Sequence, residues 1–241
     1  MKEITLKTLE KLRKFDTPTI CNVIELFNVR PKNTGFMNGS IKANFPDLPP
    51  MVGFAATATF RSSGPPLKNQ TVGSVVKQIE RFGELSGPAV VVFQDVDNPP
   101  VAATFGEIMC TTYQKYGSTG LITSGAGRDL EQVHAIKYPV FTGSTICAHG
   151  YVHIPDVNIP VFVGGLVIQP DDLIHGDCNG VTTIPHEIAA DVADLADDYI
   201  AAERIALDAL HSRTMTPEEY GRVFDEMISE INKLRKRVSS K

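Results

Sequence analysis

Apolar side chains recur with two different spacings along this chain. Near the amino terminus, residues 6–15 and the stretch that opens with Thr17-Pro18 have a helical spacing. Thr17 is expected to cap the second helix, with Pro18 in the first helical position. The pattern therefore predicts two amino-terminal helices within about residues 3–28, and the same spacing predicts a third helix over residues 72–85.

Short apolar runs separated by turn residues dominate the region from about residue 50 to residue 185, and they predict strands. A loop rich in Gly, Asn and Pro, residues 33–50, leads into the first of them. The predicted strands cover residues 52–60, 88–93, 120–123, 140–141, 151–154, 161–168, 172–175 and 181–184. Helices are expected at residues 108–116 and 130–137, so the core is predicted to be of the α/β class.

Beyond Pro185 the spacing becomes helical over a long stretch, and a second helix is predicted to begin at Thr216-Pro217. We expect these two helices to form a carboxy-terminal arm over about residues 186–240. With 241 residues the chain can bury a substantial core, and we expect residues 1–241 to form a single domain.

The charge and composition of the chain limit the kinds of partner that we expect it to bind. A net charge of -5 disfavours nucleic acid as the main partner, and the basic run at residues 233–237 is expected to be a solvated helix end. Residues 1–15 lack the continuous apolar core of a signal peptide, and residues 161–168 are too few to cross a bilayer. We therefore expect a cytoplasmic protein without a membrane partner. The 4 cysteines have no CxxC spacing, which favours reduced thiols.

The run from Gly120 to Asp129 is the most informative segment for chemistry, because an apolar strand breaks into a Gly-rich turn that places Arg128 beside Asp129. Arginine can grip a carboxylate through two parallel hydrogen bonds, and aspartate is a hard oxygen ligand for Mg²⁺ or Mn²⁺. The pair suits a metal-bound oxo acid. The alternative is that Arg128 and Asp129 only begin the helix that follows.

A second candidate element begins at Gly106, at a predicted junction between a strand and a helix. The free amides of Glu107, Ile108 and Met109 would point into a cleft and could hold a carboxylate. Glu107 could also bind a metal through water or accept a proton. A surface glutamate in a first helical turn is common, however, so this motif is weak by itself.

Five motifs occur in an order and spacing that resemble one family. They are Phe105-Gly106-Glu107-Ile108-Met109, Gly125-Ala126-Gly127-Arg128-Asp129, Val163-Gly164-Gly165, Asp177-Cys178-Asn179-Gly180-Val181, and Pro185. Over roughly residues 17 to 210 the chain resembles the RraA-like superfamily, in particular its branch of 4-hydroxy-4-methyl-2-oxoglutarate/4-carboxy-4-hydroxy-2-oxoadipate aldolases.

This resemblance implies an α/β fold of the swivelling β/β/α type, with a central mixed sheet or barrel and added amino- and carboxy-terminal helices. It also implies a class II pyruvate aldolase with accessory oxaloacetate decarboxylase activity and no Schiff-base lysine. In the family pattern Asp129 is the metal ligand and Arg128 binds the substrate carboxylate.

The resemblance further implies trimers, or pairs of trimers, with active sites between subunits. In the aldolase branch a glutamate on the carboxy-terminal arm reaches the metal site of the neighbouring subunit, and Glu203 is the nearest match in this chain. The alternative for Glu203 is an exposed helix carboxylate beside Arg204.

The chain departs from the family pattern at three places. The chain has Cys21-Asn22 where the family often has Ser-Asp, Asn179-Gly180 where Asp-Gly is common, and Pro170-Asp171-Asp172 where Pro-Gly-Asp is usual. The last affects only a turn, whereas the first two leave the acceptor half of the substrate undetermined.

The expected mechanism has Mg²⁺ or Mn²⁺ at Asp129, chelated by the C1 carboxylate and C2 carbonyl of a 2-oxo acid. Arg128 and the amides after Gly106 would hold the same end of the substrate, and the charge of the pyruvate enolate would be stabilised there. Retro-aldol cleavage also needs a base for the C4 hydroxyl, expected to be metal-linked water or hydroxide oriented by Glu107 or Glu203. Decarboxylation of oxaloacetate needs none.

The main alternative is a non-catalytic RraA-type regulator that binds a ribonuclease or helicase, and the Arg128-Asp129 pair argues against it. A menaquinone methyltransferase is disfavoured because no methyl-donor motif is visible. A zinc site at His149, His153 and His175 is disfavoured by their spacing. The Gly-rich turn also lacks the dinucleotide fingerprint, so NAD is not expected.

Overall fold

The computed structural model describes residues 3–68 and 73–239. Its helices are α1 (Leu6–Leu12), α2 (Thr17–Phe27), α3 (Val75–Glu80), α4 (Glu107–Lys115), α5 (Leu130–Ala135), α6 (Ala189–Ser212) and α7 (Pro217–Ser239). Its strands are β1 (Lys42–Ala43), β2 (Met51–Phe60), β3 (Ala89–Asp95), β4 (Ala103–Phe105), β5 (Gly120–Thr123), β6 (Ala126–Gly127), β7 (Val140–Thr142), β8 (Ser144–Thr145), β9 (Val161–Val163), β10 (Leu166–Ile168), β11 (Leu173–Asp177) and β12 (Gly180–Ile184).

The main sheet is mixed, with seven strands in the order β1-β7-β5-β3-β2-β11-β12. Its centre is parallel, because β2, β3, β5 and β7 run in one direction, while β1, β11 and β12 are antiparallel to their neighbours. All residues of β2 are buried, as expected for a strand covered on both faces. The predicted α/β fold with a central mixed sheet is confirmed.

A second, three-stranded parallel sheet has the order β4-β6-β8. Each of these short strands follows a parallel strand of the main sheet along the chain: β3 leads to β4, β5 to β6, and β7 to β8. The second sheet is therefore reached from the carboxyl ends of the central strands, where α/β proteins commonly bind ligands.

Helices and a hairpin cover the main sheet. Along β3, Val90 and Val92 pack in a core cluster with residues of the β9–β10 hairpin, whereas Val91 and Phe93 pack with residues of α4 and α5. The helices α1, α2 and α6 form a third cluster, against residues of β2, β11 and β12. The arm predicted for residues 186–240 is the antiparallel pair α6 and α7, and residue 240 lies outside the described residues.

Two helices begin differently from the sequence prediction. The cap of α2 is Asp16, whose Oδ1 accepts the Thr19 N–H at 2.8 Å, and Thr17 is already helical. The Thr17 N–H instead donates to Asp177 Oδ2 at 2.9 Å, a long-range contact that local sequence does not reveal. The long helix begins at Ala189, after a turn, and not directly after Pro185.

Two predicted strands and one helix were also wrong in part. Residues 161–168 form the hairpin of β9 and β10, because the Gly164-Gly165 turn reverses the chain. Residues 151–154 make only isolated bridges, from His153 and Ile154. The helix predicted for residues 72–85 is α3 followed by a 3₁₀ turn, and its first residue, Val72, lies outside the described residues.

Two further observations concern the cysteines and the helices. The four cysteines are free thiols, as predicted. Over the described ranges 3–68 and 73–239, no helix is both long enough and apolar enough to span a membrane.

Candidate active site

Arg128 and Asp129 lie where the second sheet meets α5. The Arg128 N–H donates to the Phe105 carbonyl at 3.1 Å, which fixes the end of β6 beside the end of β4. Asp129 precedes α5 with φ 54° and ψ 40°, a left-handed conformation that few residues other than Gly, Asn and Asp adopt. This conformation turns the chain from β6 into α5.

The Asp129 carboxylate joins the two segments that the sequence singled out. Its Oδ2 accepts the Glu107 N–H at 3.0 Å and lies 3.7 Å from Arg128 Nε. Gly106 permits this approach, because a Cβ there would lie 2.5 Å from Asp129 Oδ2 and 2.9 Å from Arg128 Nε. One of the amides predicted to face a ligand is therefore already used by Asp129.

The Nη atoms of the Arg128 guanidinium remain available to a ligand. Its side chain is 33% exposed, and within residues 3–68 and 73–239 its two Nη atoms donate to no protein acceptor. The guanidinium is thus oriented by its backbone and by Asp129 but retains the paired N–H groups that grip a carboxylate.

A cavity of about 530 Å³ brings the predicted residues together. Its lining contains six of the seven predicted site residues: Gly106, Glu107, Ile108, Met109, Arg128 and Asp129. The remaining lining residues are Val75, Ala103, Thr104, Phe105, Thr112, His149 and Val152. The volume is in the range of small-molecule sites, and the lining combines apolar walls with a few charged groups.

Glu203 does not line this cavity. It lies on α6 and faces α2, where Asn22 Nδ2 donates to its Oε1 at 3.5 Å. Burial raises the pKa of the Glu203 carboxyl, and the nearby Asp16 carboxylate adds to this effect. Within one chain the structure therefore separates Glu203 from Asp129, and Glu203 is partly buried rather than a fully exposed helix carboxylate.

A buried acid lies next to the turn that carries the central pair. Asp95 ends β3, and a Cβ on Gly125 would lie 2.6 Å from its Oδ2. Its Oδ1 accepts the Asp97 N–H at 2.9 Å, while its Oδ2 is buried without a hydrogen-bond partner in the described part of the chain. Burial raises the pKa of Asp95 to about 6, so this carboxyl carries a proton more readily than a surface aspartate.

A single chain offers few side chains that could ligate a metal ion. Among the described residues, no group of three or more His, Cys, Asp or Glu side chains could hold a metal ion. Asp129 offers one carboxylate, which suits an ion that keeps most of its waters and takes further oxygens from a ligand, as Mg²⁺ commonly does.

Sequence reasoning missed His149 as a residue of this cavity. It was considered only as a zinc ligand, together with His153 and His175. The structure places those two elsewhere: His153 Nδ1 lies 2.9 Å from the Tyr151 carbonyl, and His175 lies between Thr17 and Leu12. The sequence offered no signal for it, because the strand that it follows, β8, was not predicted.

Comparison with known proteins identifies the family. The model of the RraA-like family, described as Aldolase/RraA, matches residues 17–183, and the chain belongs to this family. A protein of Halalkalibacterium halodurans named "Putative 4-hydroxy-4-methyl-2-oxoglutarate aldolase" is 30% identical over 136 residues, which are 56% of this chain and 65% of that protein. The chain thus spans slightly less than two thirds of this curated relative.

Solved structures support the fold. An uncharacterized protein from Pseudomonas syringae pv. tomato has a TM-score of 0.71 at 21% identity, covering 92% of this chain and 95% of its own. Streptomyces coelicolor RraAS2, described as an unusual member of the RNase ES inhibitor RraA protein family, has a TM-score of 0.67 at 18% identity, covering 86% and 98%. At these identities the likeness concerns the fold alone.

Proposed function

We propose that this protein is a divalent-metal-dependent pyruvate aldolase. It cleaves a 4-hydroxy-2-oxo acid to pyruvate and a second carbonyl compound, and it also decarboxylates oxaloacetate. The observation that carries the proposal is the meeting of Arg128, Asp129 and the first turn of α4 around one cavity. Membership of a family described as Aldolase/RraA supports it.

Asp129 would hold the ion, Mg²⁺ or Mn²⁺. When bound, the ion supplies positive charge at the C2 oxygen of the substrate, where negative charge develops during carbon–carbon cleavage. The cavity lining contains no lysine among the described residues, so the proposal does not involve an imine.

The chain's own groups hold the other parts of the 2-oxo acid. The free fork of Arg128 binds the C1 carboxylate through two parallel hydrogen bonds. The amides of Ile108 and Met109, in the first turn of α4, add donors at the same end, because the first amides of a helix have no helical acceptor. Both reactions then yield the same pyruvate enolate, which these donors stabilise.

The proposed assembly is a homo-oligomer, a trimer or a hexamer, with active sites between subunits. Glu203 supports this proposal because it is partly buried on the arm and is not among the residues that line its own chain's cavity. In the assembly it would complete the cavity of a neighbouring chain.

The decisive experiment measures pyruvate release from a panel of 4-hydroxy-2-oxo acids and from oxaloacetate. Activity should vanish with a chelator and return with Mg²⁺ or Mn²⁺, and borohydride added with substrate should leave the protein mass unchanged. A covalent adduct, or full turnover in chelator, would overturn the metal-dependent mechanism. A protein that turns over none of these acids with either ion would overturn the proposed function.

A further inference from the structure

Cleavage of a 4-hydroxy-2-oxo acid needs a proton acceptor for the C4 hydroxyl, and the cavity contains a candidate outside the motifs of the sequence. Four ionisable side chains line the cavity among the described residues: Glu107, Arg128, Asp129 and His149. Arginine stays protonated, and the Asp129 carboxylate already accepts the Glu107 amide beside Arg128. His149 and Glu107 remain, and an imidazole is in general a stronger base than a carboxylate, which favours His149.

The hydrogen bonding of His149 fixes its tautomer. Its Nδ1 lies 2.9 Å from the Gly150 carbonyl oxygen, which can only accept. Nδ1 therefore carries the proton, and in the neutral ring Nε2 holds a lone pair. Within residues 3–68 and 73–239, Nε2 has no protein partner, so this atom is available to a ligand.

The backbone around His149 is held on both sides. The Ala148 carbonyl accepts the Ala103 N–H of β4 at 2.8 Å, and the Tyr151 N–H donates to the Ser62 carbonyl at 3.0 Å. Gly150 has φ 53°, and a Cβ at this position would lie only 2.8 Å from the same Ser62 oxygen, so a glycine fits here. These contacts tie the segment that carries the imidazole to β4 and to the chain just beyond β2.

We propose that His149 is the general base of the retro-aldol reaction, an inference that rests on the proposed function. Nε2 takes the proton of the C4 hydroxyl, and the O–H electron pair forms the new C4 carbonyl. The C3–C4 bond breaks, its electron pair forms the enolate of pyruvate, and C3 is then protonated from solvent. The imidazolium returns its proton to water, because His149 is exposed.

Oxaloacetate provides the internal comparison. Its decarboxylation forms the same enolate but has no hydroxyl proton to remove, so His149 has no role in it. His149 thus acts in one of two reactions that share a cavity, and glutamine in its place removes the base while keeping a polar side chain of similar reach.

The test compares both reactions in the holoenzyme with His149→Gln, using 4-hydroxy-4-methyl-2-oxoglutarate and oxaloacetate as substrates. We expect kcat for aldol cleavage to fall by roughly 10² to 10⁴ and decarboxylation to stay within about threefold. Added imidazole should restore part of the cleavage activity of His149→Ala. The control is His134→Gln, at an exposed histidine that contacts Asp47 and does not line the cavity, and it should leave both reactions unchanged.

The outcomes separate the two proposals. An equal loss of both reactions in His149→Gln would mean that His149 supports binding or structure, and unchanged aldol cleavage would mean that another group is the base. Either result overturns the role of His149 and leaves the proposed function standing. Absence of both reactions in the unmodified protein would overturn the proposed function and this role with it.

Discussion

Arg128 and Asp129 are adjacent, but the proposed function gives them separate tasks, which substitutions can separate. Arg128→Lys keeps the charge and loses the planar fork, so kcat/KM should fall by roughly 10² or more. Asp129→Asn removes the charge that would hold the ion, so it should first raise the Mg²⁺ concentration needed for half-maximal activity. Steady-state kinetics with metal titration measure both effects.

The matched control for this pair is Arg222→Lys, at an arginine 70% exposed on α7 whose partner is Glu218. A surface pair of this kind contributes little, so activity should not change. If Arg128→Lys and Asp129→Asn both behave like this control with every 2-oxo acid that the parent converts, the catalytic site lies elsewhere.

His175 shows how one side chain connects three elements. It lies on β11, where Nδ1 accepts the Thr17 hydroxyl of α2 at 3.0 Å and Nε2 donates to the Leu12 carbonyl of α1 at 3.2 Å. Burial lowers its pKa to about 4, whereas an exposed histidine titrates near 6.5. The contribution of His175 to stability is therefore complete above about pH 6.5 and is lost as the pH falls toward 4, since the unfolded chain binds the proton more tightly.

A pH series of urea unfolding tests this. Between pH 7 and pH 5, His175 should account for a loss on the order of 2 kcal/mol in the free energy of unfolding, and His175→Gln should lack that part of the loss. His211→Gln, at an exposed histidine near the end of α6, should keep the full slope. An identical slope in His175→Gln and the parent would show that this histidine is not the titrating group.

Local signals predicted some elements well and others poorly, for physical reasons. A strand that ends in Gly106 before a helical spacing is a local pattern, and α4 begins at Glu107, one residue before the predicted start. The cap of α2 was misplaced because Asp16 and Thr17 are both good caps, and only the contact with Asp177 decides between them. The β9–β10 hairpin was predicted as one strand although Gly164-Gly165, in its middle, is a local turn signal.

The same difference between local patterns and long-range contacts applies to the site. The Arg128-Asp129 pair and the Gly106 turn were predicted from short motifs, and the structure brings them together. The position of His149 depends on hydrogen bonds to Ala148 and Tyr151 from residues distant in sequence, so nothing local could reveal it. The separation of Glu203 from the cavity likewise depends on how α6 packs on α2.

At the scale of the whole molecule, the arm leaves apolar side chains in solvent, which is typical of a surface that contacts another subunit. These residues, on α6 and α7, are Leu207, Leu210, Tyr220, Phe224 and Ile228. The exposed face begins just beyond Glu203 on α6. An arm that packs on a neighbouring chain by this face would bring the partly buried carboxyl to that chain's surface.

Subunit mixing tests whether Glu203 serves a neighbour. Asp129→Ala and Glu203→Ala should each be nearly inactive, yet co-refolded mixed oligomers should regain part of the activity. At some interfaces an intact Asp129 from one chain then meets an intact Glu203 from the other.

The control mixes Asp129→Ala with Arg128→Ala. Arg128 and Asp129 line the same cavity of a chain, so every cavity in the mixed oligomers would carry one of the two substitutions. No recovery of activity is therefore expected. If mass spectrometry proves that the Asp129→Ala and Glu203→Ala chains have mixed and activity still does not return, Glu203 does not act in trans.

The two walls of the cavity come from different kinds of segment: one from the ends of strands and the start of a helix, the other from a loop. Arg128, Asp129 and the start of α4 follow β6 and β4, two paired strands of the second sheet. His149 and Val152 belong to a loop beyond β8, tied to the framework by a few backbone bonds. Loops of this kind accept substitutions and insertions more readily than the elements they join. Under the proposed function, substitutions in this loop would therefore change the contacts of the second carbonyl product, while the groups proposed to hold the oxo-acid end stay the same.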